Sequence, residues 1–379
     1  MKVIIKNLFP VEQGEIDLKD LTVFCGPNNM GKTYVMYMLY SLLDKDFEVQ
    51  FEELIPYTEA LIQKGTCEID IQNLLDDNTI NSMVKQIEKA FVKRLPIVFN
   101  VEESDFEKTE IKLEFEQILF EASLQKSWKS TLSLGKEKDW IIDIEKPIDE
   151  TKIFITLRDS NLPKRIINSF ISEFIVKSLF SDISYRSLLL PAERTGLNLF
   201  FQELSSKRTR LLHHAQRDKI DPLEVLRDVF KASYAEPITD YIEFLEDTNQ
   251  TKRKTSKYKI YAQEIQKNIL NGKYELDRHG NIYFIPYRSG QKKLSLHRAS
   301  STVKSFFGLV FFLEHLAEKS DVIMIDEPEL NLHPDNQRLV TRIIAKLVNG
   351  GIKVIVSTHS DYFIKELSNL IMLSQQKME

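Results

Sequence analysis

Cysteine is scarce in this chain: its 379 residues hold only two, Cys25 and Cys67. They lie in different regions without metal-ligand spacing, and they argue against a disulfide framework. Such usage suits a reducing cytoplasm, the expected location. Net positive charge is missing as well. At −5 overall, the chain has no global reason to hold nucleic acid, and any such site must be a local patch. Long apolar runs are also absent. The N-terminus Met1-Lys2-Val3-Ile4-Ile5-Lys6 is strand-like and lacks the apolar core of a signal peptide. The most apolar helix candidate, Phe306 to Leu316, is too short to span a bilayer and carries Glu314 and His315. No membrane partner is expected. The phenylalanines of that segment occur all round the helix, which predicts burial in the core. There is no internal repeat, low-complexity segment or obvious flexible linker. Nor is any heptad run long enough for an extended coiled-coil arm.

What is present starts with a composition of 42% hydrophobic and 28% charged residues, the balance of a soluble globular protein. The length predicts a large core and two or three domains. The most informative stretch is Gly26-Pro27-Asn28-Asn29-Met30-Gly31-Lys32-Thr33. It fits the phosphate-cradling pattern G-x-x-x-x-G-K-[ST]. Its flanks fit too: Leu21 to Cys25 reads as a strand, and Tyr34 to Leu43, free of glycine and proline, as a helix. Glycines let the backbone curl so that successive N–H groups point at phosphate oxygens, and the helix adds its positive end. In such a loop Lys32 reaches the β- and γ-phosphates of a nucleotide, and the Thr33 hydroxyl ligates Mg²⁺. The bland alternative is a glycine turn followed by a chance Lys-Thr pair.

In chain order, residues 2–7, 14–19 and 21–25 read as strands with a turn at Gly14, and 33–43 as a helix. Residues 45–95 read as mainly helical. Between 97 and 160 the character changes, and Pro96 to Val101, Thr109 to Phe115 and Lys152 to Leu157 read as strands. Residues 163–181 return to helix. Arg186 to Pro191 then reads as a short buried strand leading to a polar loop with Glu193 and Arg194. Such a loop either contacts ligand or holds a structural ion pair. Residues 197–270 read as mostly helical with two basic clusters, one from Lys207 to Lys219 and one from Lys252 to Lys259. Each is either a solvated face or a site for a phosphate backbone or an acidic partner. Residues 272–287 read as a hairpin turning at His279-Gly280.

Two later segments complete a candidate site. Asp321 to Pro328 is an apolar strand ending in Asp326 and Glu327. Asp326 suits a Mg²⁺-bound water network, and Glu327 suits a base that orients or deprotonates an attacking water. Ile352 to Ser360 is another buried strand, ending in His359. The order of the segments makes His359 a candidate sensor of the γ-phosphate.

Taken together, Gly26-Pro27-Asn28-Asn29-Met30-Gly31-Lys32-Thr33, Ile325 to Pro334 and Val354 to Ser360 resemble an ABC-type ATPase of the SMC, RecF and OLD group, in the branch labelled AAA-family ATPases. The resemblance covers Met1 to Leu43 and roughly Ile282 to Leu373. It implies an α/β fold: an ABC-type P-loop ATPase head, a mixed sheet flanked by helices, with a large α+β insertion between the Walker A loop and the signature helix. The implied divisions are residues 1–50, the N-terminal part of the head; 51–182, a mixed helical and β insertion; 183–200, a head strand and loop; 201–270, a helical, locally basic insertion; and 271–379, the C-terminal part of the head. By position, the resemblance gives Gly26, Pro27, Asn28, Asn29, Met30, Gly31, Lys32 and Thr33 to ATP. Thr33 and Asp326 go to Mg²⁺, Glu327 to the catalytic water and His359 to the γ-phosphate. Asn331 falls in the D-loop. Ser300, Ser301 and Thr302 fall at the signature, where Thr302 replaces the branch's usual glycine. A signature of this kind serves the nucleotide on another subunit, so the resemblance implies a homodimer or larger symmetric assembly closed by ATP.

The chain stops shortly after the His359 strand, which leaves no room for the nuclease domain of OLD proteins. The middle resembles the insertions of bacterial anti-phage ATPases of PARIS- or Septu-like systems, which work with a separately encoded nuclease or toxin. The leading expectation is therefore an ATP-driven sensor and scaffold for an effector protein. The alternatives are a RecF-type DNA-repair ATPase gripping duplex DNA and a nucleotide-locked assembly with little turnover.

Overall fold

The computed structural model describes the chain outside residues 45–48, 116–126, 134–139, 159–161, 180–185, 202, 204–233, 249–253, 278–279, 289–291 and 376–379. The basic cluster from Lys207 to Lys219, together with Lys252, Arg253 and His279, lies outside the described residues. The chain forms two compact units. The first holds Met1–Leu18, Leu42–Pro96 and Glu102–Tyr185, and the second Lys19–Ser41, Ile97–Val101 and Arg186–Glu379. The first strand pair thus belongs to a different unit from the loop at residues 26–33.

In the first unit, Lys2–Leu8 is the middle of a three-stranded antiparallel sheet between Val11–Asp17 and Glu110–Glu114. Period-two alternation sets its register. Val3 opposes Ile16 and Leu113, Ile5 opposes Ile111, and all five side chains are buried. Gly14 is not the turn expected of it. It pairs with Ile5 inside an edge strand, and the chain reverses at Phe9-Pro10 between the paired Leu8 and Val11. Proline sets its own φ and needs no ladder partner, so it outcompetes glycine as the turn former here.

The second sheet of this unit has the antiparallel order Thr66–Asp70, Lys152–Leu157, Trp140–Lys146, Trp128–Ser133. Thr66–Asp70 interrupts the region expected to be helical. Gly65, at φ +74, ends the helix Ile55–Lys64 in a left-handed cap, and the chain leaves as a strand. The opposite correction applies to residues 96–101. The helix Asp77–Phe99 continues through Pro96. Its stripe of Met83, Ile87, Phe91, Leu95 and Val98, all fully buried, carries the helix past the missing N–H.

The second unit is built on a four-stranded parallel sheet in the order Leu21–Cys25, Lys353–Thr358, Val322–Asp326, Ser187–Leu190. Every residue of Val322–Asp326 is buried, as the apolar run predicts. Cys25 lies opposite Thr358, Asp326 opposite Ser357, and Ile325 opposite Leu190. Parallel register therefore delivers four chain exits to one edge of the sheet, where α/β folds bind ligands. The helix Ser301–His315 is buried at nine consecutive residues, Ser305 to Leu313, in accord with phenylalanines on all sides. The hairpin Gly272–Leu276 and Ile282–Pro286 forms as expected and adds Leu294–Ser295 as a third strand.

Packing on the Ser301–His315 helix is tightest at Gly308. A Cβ there would lie 2.3 Å from the Tyr241 hydroxyl. Tyr241 cannot easily retreat, because it is buried and donates to Asn198 Oδ1 at 2.8 Å. Gly308→Ala is expected to destabilise the fold by about 1–3 kcal/mol through overpacking. Urea unfolding measures this, and adding Tyr241→Phe, which removes the clashing oxygen, should restore part of the loss.

Candidate functional site

The site begins where Leu21–Cys25 ends. Asn29 at φ +63 and Gly31 at φ +85 put two left-handed turns into the following loop. Asparagine tolerates that conformation and glycine adopts it freely. Gly31 O then accepts Val35 N–H at 3.0 Å as the helix Lys32–Asp44 starts. Lys32 Nζ donates to Gly26 O at 2.9 Å and to Pro27 O at 2.8 Å, so the lysine spans its own loop. An ammonium has three protons, which leaves one for a ligand above the loop. Pro27, Asn28, Asn29 and Met30 are exposed along the rim.

Asp326 joins the loop to the centre of the sheet. Thr33 Oγ1 donates to its Oδ2 at 2.8 Å, and Ser357 Oγ makes a short hydrogen bond to its Oδ1. The carboxylate is buried. Arg194 lies against the backbone at the same strand end. Its Nη1 donates to Asp326 O at 2.6 Å and Pro191 O at 3.0 Å, and its Nη2 to Glu327 O at 2.7 Å. Burial pulls the Arg194 pKa down from its ordinary value, while the charges of Asp326, Glu329 and Glu327 oppose that pull. Tyr241 would join them only as a phenolate, and its own burial raises its pKa. The guanidinium therefore stays charged, as arginine does in proteins. Arg194 here serves the backbone at the strand end, which differs from the structural ion pair that is one of the two expectations for this loop. The bonds run to carbonyl oxygens, with nearby acids balancing the charge.

Glu327 has a left-handed backbone, φ +51, and donates its N–H to Ser357 O at 3.0 Å. A non-glycine residue held there is a sign of local constraint. His359 Nδ1 is 3.4 Å from Glu327 Oε1 and also 3.4 Å from Glu329 Oε1. The ring is half exposed, whereas Glu329 is buried. Thr33, Asp326, Glu327 and His359 thus form one connected group, through Ser357 and Asp326 on one side and the two glutamates on the other.

The proposed signature residues form a second cluster. Ser300 caps the helix Ser301–His315 by accepting from Val303 N–H. Ser300 and Ser301 are exposed. Thr302 Oγ1 donates to Asn331 O at 2.8 Å, and Asn331, itself left-handed at φ +60, reaches Thr195 Oγ1 with its Nδ2 at 3.4 Å. The sequence reading did not single out Ser357, Thr358 or Glu329 as site residues. All three stand inside the quoted motifs, so the signal was adjacent, but their partners become visible only in the folded sheet.

The residues fit a hard divalent cation at one place. A hydroxyl and a carboxylate, from Thr33 and Asp326, converge within hydrogen-bond distance, and oxygen donors of this kind suit Mg²⁺. Among the described residues no cluster of three His, Cys, Asp or Glu side chains forms a metal cage. No described helix is long and apolar enough to cross a membrane.

The family model described as AAA ATPase domain matches residues 1–364. No curated protein matches the chain. Among solved structures, the chain is similar to the SMC head bound to the C-winged helix domain of ScpA, at 12% identity and a TM-score of 0.35, over 96% of this chain and 91% of that one. It is similar also to the SMC head domain from Thermotoga maritima, at 12% identity and a TM-score of 0.33, over 96% and 90%. At such scores these likenesses carry no weight beside the family match.

Arg194 supplies the test of the scaffold under the site. Arg194→Met removes the donor from three carbonyl oxygens and the countercharge from three acids. It is expected to cost about 3–5 kcal/mol, the range for breaking a buried charge network on one side. Arg194→Lys should recover only part of this, since one ammonium cannot reproduce the planar fork. Chemical denaturation of the two variants checks both statements.

Proposed function

The chain belongs to the AAA ATPase domain family and is an ATPase, and from that premise we propose that two copies close around two ATP molecules to control a separate effector protein. In this reading the loop N–H groups and the third Lys32 proton take the β- and γ-phosphates. Thr33 and Asp326 would hold Mg²⁺, which when bound neutralises phosphate charge. Glu327 orients the attacking water and accepts its proton. His359 contacts the γ-phosphate. The single observation that carries this assignment is the Thr33–Asp326 hydrogen bond, which joins residues 293 positions apart at 2.8 Å. It unites the phosphate loop with the acidic strand end, and Glu327 follows directly.

The dimeric part of the reading is supported by exposure. Ser300 and Ser301 stand open at the start of a 15-residue helix, whose N–H groups favour an anion. They are offered to nucleotide on a second copy. The biological setting we propose is bacterial anti-phage defence of the PARIS- or Septu-like kind, with a nuclease or toxin as effector. A RecF-like grip on duplex DNA is the competing reading. Of the described lysines of the second basic cluster, Lys259 pairs with Glu314 at 3.5 Å and Lys257 covers the Tyr258 ring, while Lys254 and Lys257 are exposed and could serve such a grip.

The test is solution mass and ATP turnover with Mg·ATP. Wild type is expected to hydrolyse ATP. Glu327→Gln should accumulate as a nucleotide-bound dimer or larger assembly with turnover reduced at least a hundredfold, an order of magnitude typical for loss of a general base (~10²–10⁴). Lys32→Ala should neither assemble nor hydrolyse. Equal masses for all three, without hydrolysis, would sink the proposal. Salt-dependent retention of duplex DNA would move the reading to the RecF type.

A further inference from the structure

Glu329 is the buried carboxylate at this site to which the sequence reading gives no role. Its Oε1 accepts the Thr358 hydroxyl at 2.8 Å and the His359 N–H at 2.9 Å, and it lies 3.4 Å from His359 Nδ1. Its Oε2 is buried with no hydrogen-bond partner among the described residues. A carboxylate buried with one oxygen unsatisfied is costly and makes a poor structural strut. All the described bonds it does make converge on the segment that carries His359.

The Thr358 hydroxyl is oriented by what surrounds it. Its oxygen accepts Ser360 N–H at 3.0 Å, which directs its proton to Glu329. Ser360 Oγ in turn donates to Gln337 Oε1 at 2.6 Å, and Gln337 Nε2 donates to Leu332 O at 3.0 Å, one residue beyond Asn331. Glu329 is thus the fixed end of a short polar chain that runs from the His359 turn back to the segment after the acidic strand.

We infer that Glu329 is a positioning residue for His359. It holds the His359 backbone and, with Glu327, keeps Nδ1 turned toward carboxylate oxygens, which leaves Nε2 as the ring nitrogen available to a phosphate. In this arrangement Glu329 acts through the histidine. The inference rests on the reading of His359 as the γ-phosphate contact.

A kinetic cycle in the full chain tests it. Glu329→Gln keeps an acceptor for Thr358 and His359 N–H but removes the charge beside Nδ1. It is expected to lower kcat for Mg·ATP roughly tenfold to a hundredfold, with KM changed less than about twofold, the signature of a misplaced group that acts in the transition state. His359→Gln should lose at least as much, and the double variant should be no slower than His359→Gln alone, because Glu329 acts through the histidine. Thr358→Val, which removes the hydroxyl that Glu329 accepts, should also lower kcat with KM little changed. Losses that multiply in the double variant, or a change confined to KM, would overturn the inference. Should wild type show no turnover, the hydrolytic reading fails, and the ¹⁵N resonances of the His359 ring in nucleotide-free protein become the test. A shift of Nδ1 in Glu329→Gln supports the positioning role, and an unmoved resonance overturns it.

Discussion

The Asp326 carboxylate is the constraint on which the site depends. It is buried, so each oxygen needs a partner, and it takes them from two distant parts of the chain: Thr33 after the phosphate loop and Ser357 on the neighbouring strand. Its own backbone carbonyl is taken by Arg194, which follows the fourth strand. Three segments therefore cannot shift independently of it. Register does the rest. With Asp326 opposite Ser357, Glu327, one residue past Asp326, and His359, two residues past Ser357, emerge at the same edge with their side chains in reach of each other.

Arg194 makes this arrangement tolerable electrostatically. Three acidic side chains within four residues would repel one another at a buried strand end. A single guanidinium, charged despite burial, lies among them and also satisfies three carbonyl oxygens. Its planar fork suits that double task, which a lysine could perform only in part.

The parts of this site legible in the sequence are those whose chemistry demands contiguous residues. Gly26 to Thr33 form one contiguous loop pattern, and Asp326-Glu327 directly follow a buried strand, so the loop, the helix after it and the four strands of that sheet could be read locally. What failed depended on pairing and packing that no single residue reveals. Gly14 looks like a turn until its pairing with Ile5 is known. Pro96 looks like a strand start until the buried stripe from Met83 to Val98 outweighs it. The helix end at Gly65 was missed although glycine there is a local signal. Thr302 teaches a related lesson. Against a family glycine it reads as an impediment to close phosphate approach, yet its hydroxyl makes a bond to Asn331 O that glycine cannot make. That contact tethers the start of one helix to the segment leading into another.

The strand order also bears on how the chain comes off the ribosome. Leu21–Cys25 is made before its neighbour in the described sheet, Lys353–Thr358, which follows more than 300 residues later. Until that partner emerges, the strand before the phosphate loop has an unpaired edge, the exposure that invites aggregation. The loop at residues 26–33 is thus made well before the strand that backs it, and a nascent chain lacks that support until Lys353–Thr358 has emerged.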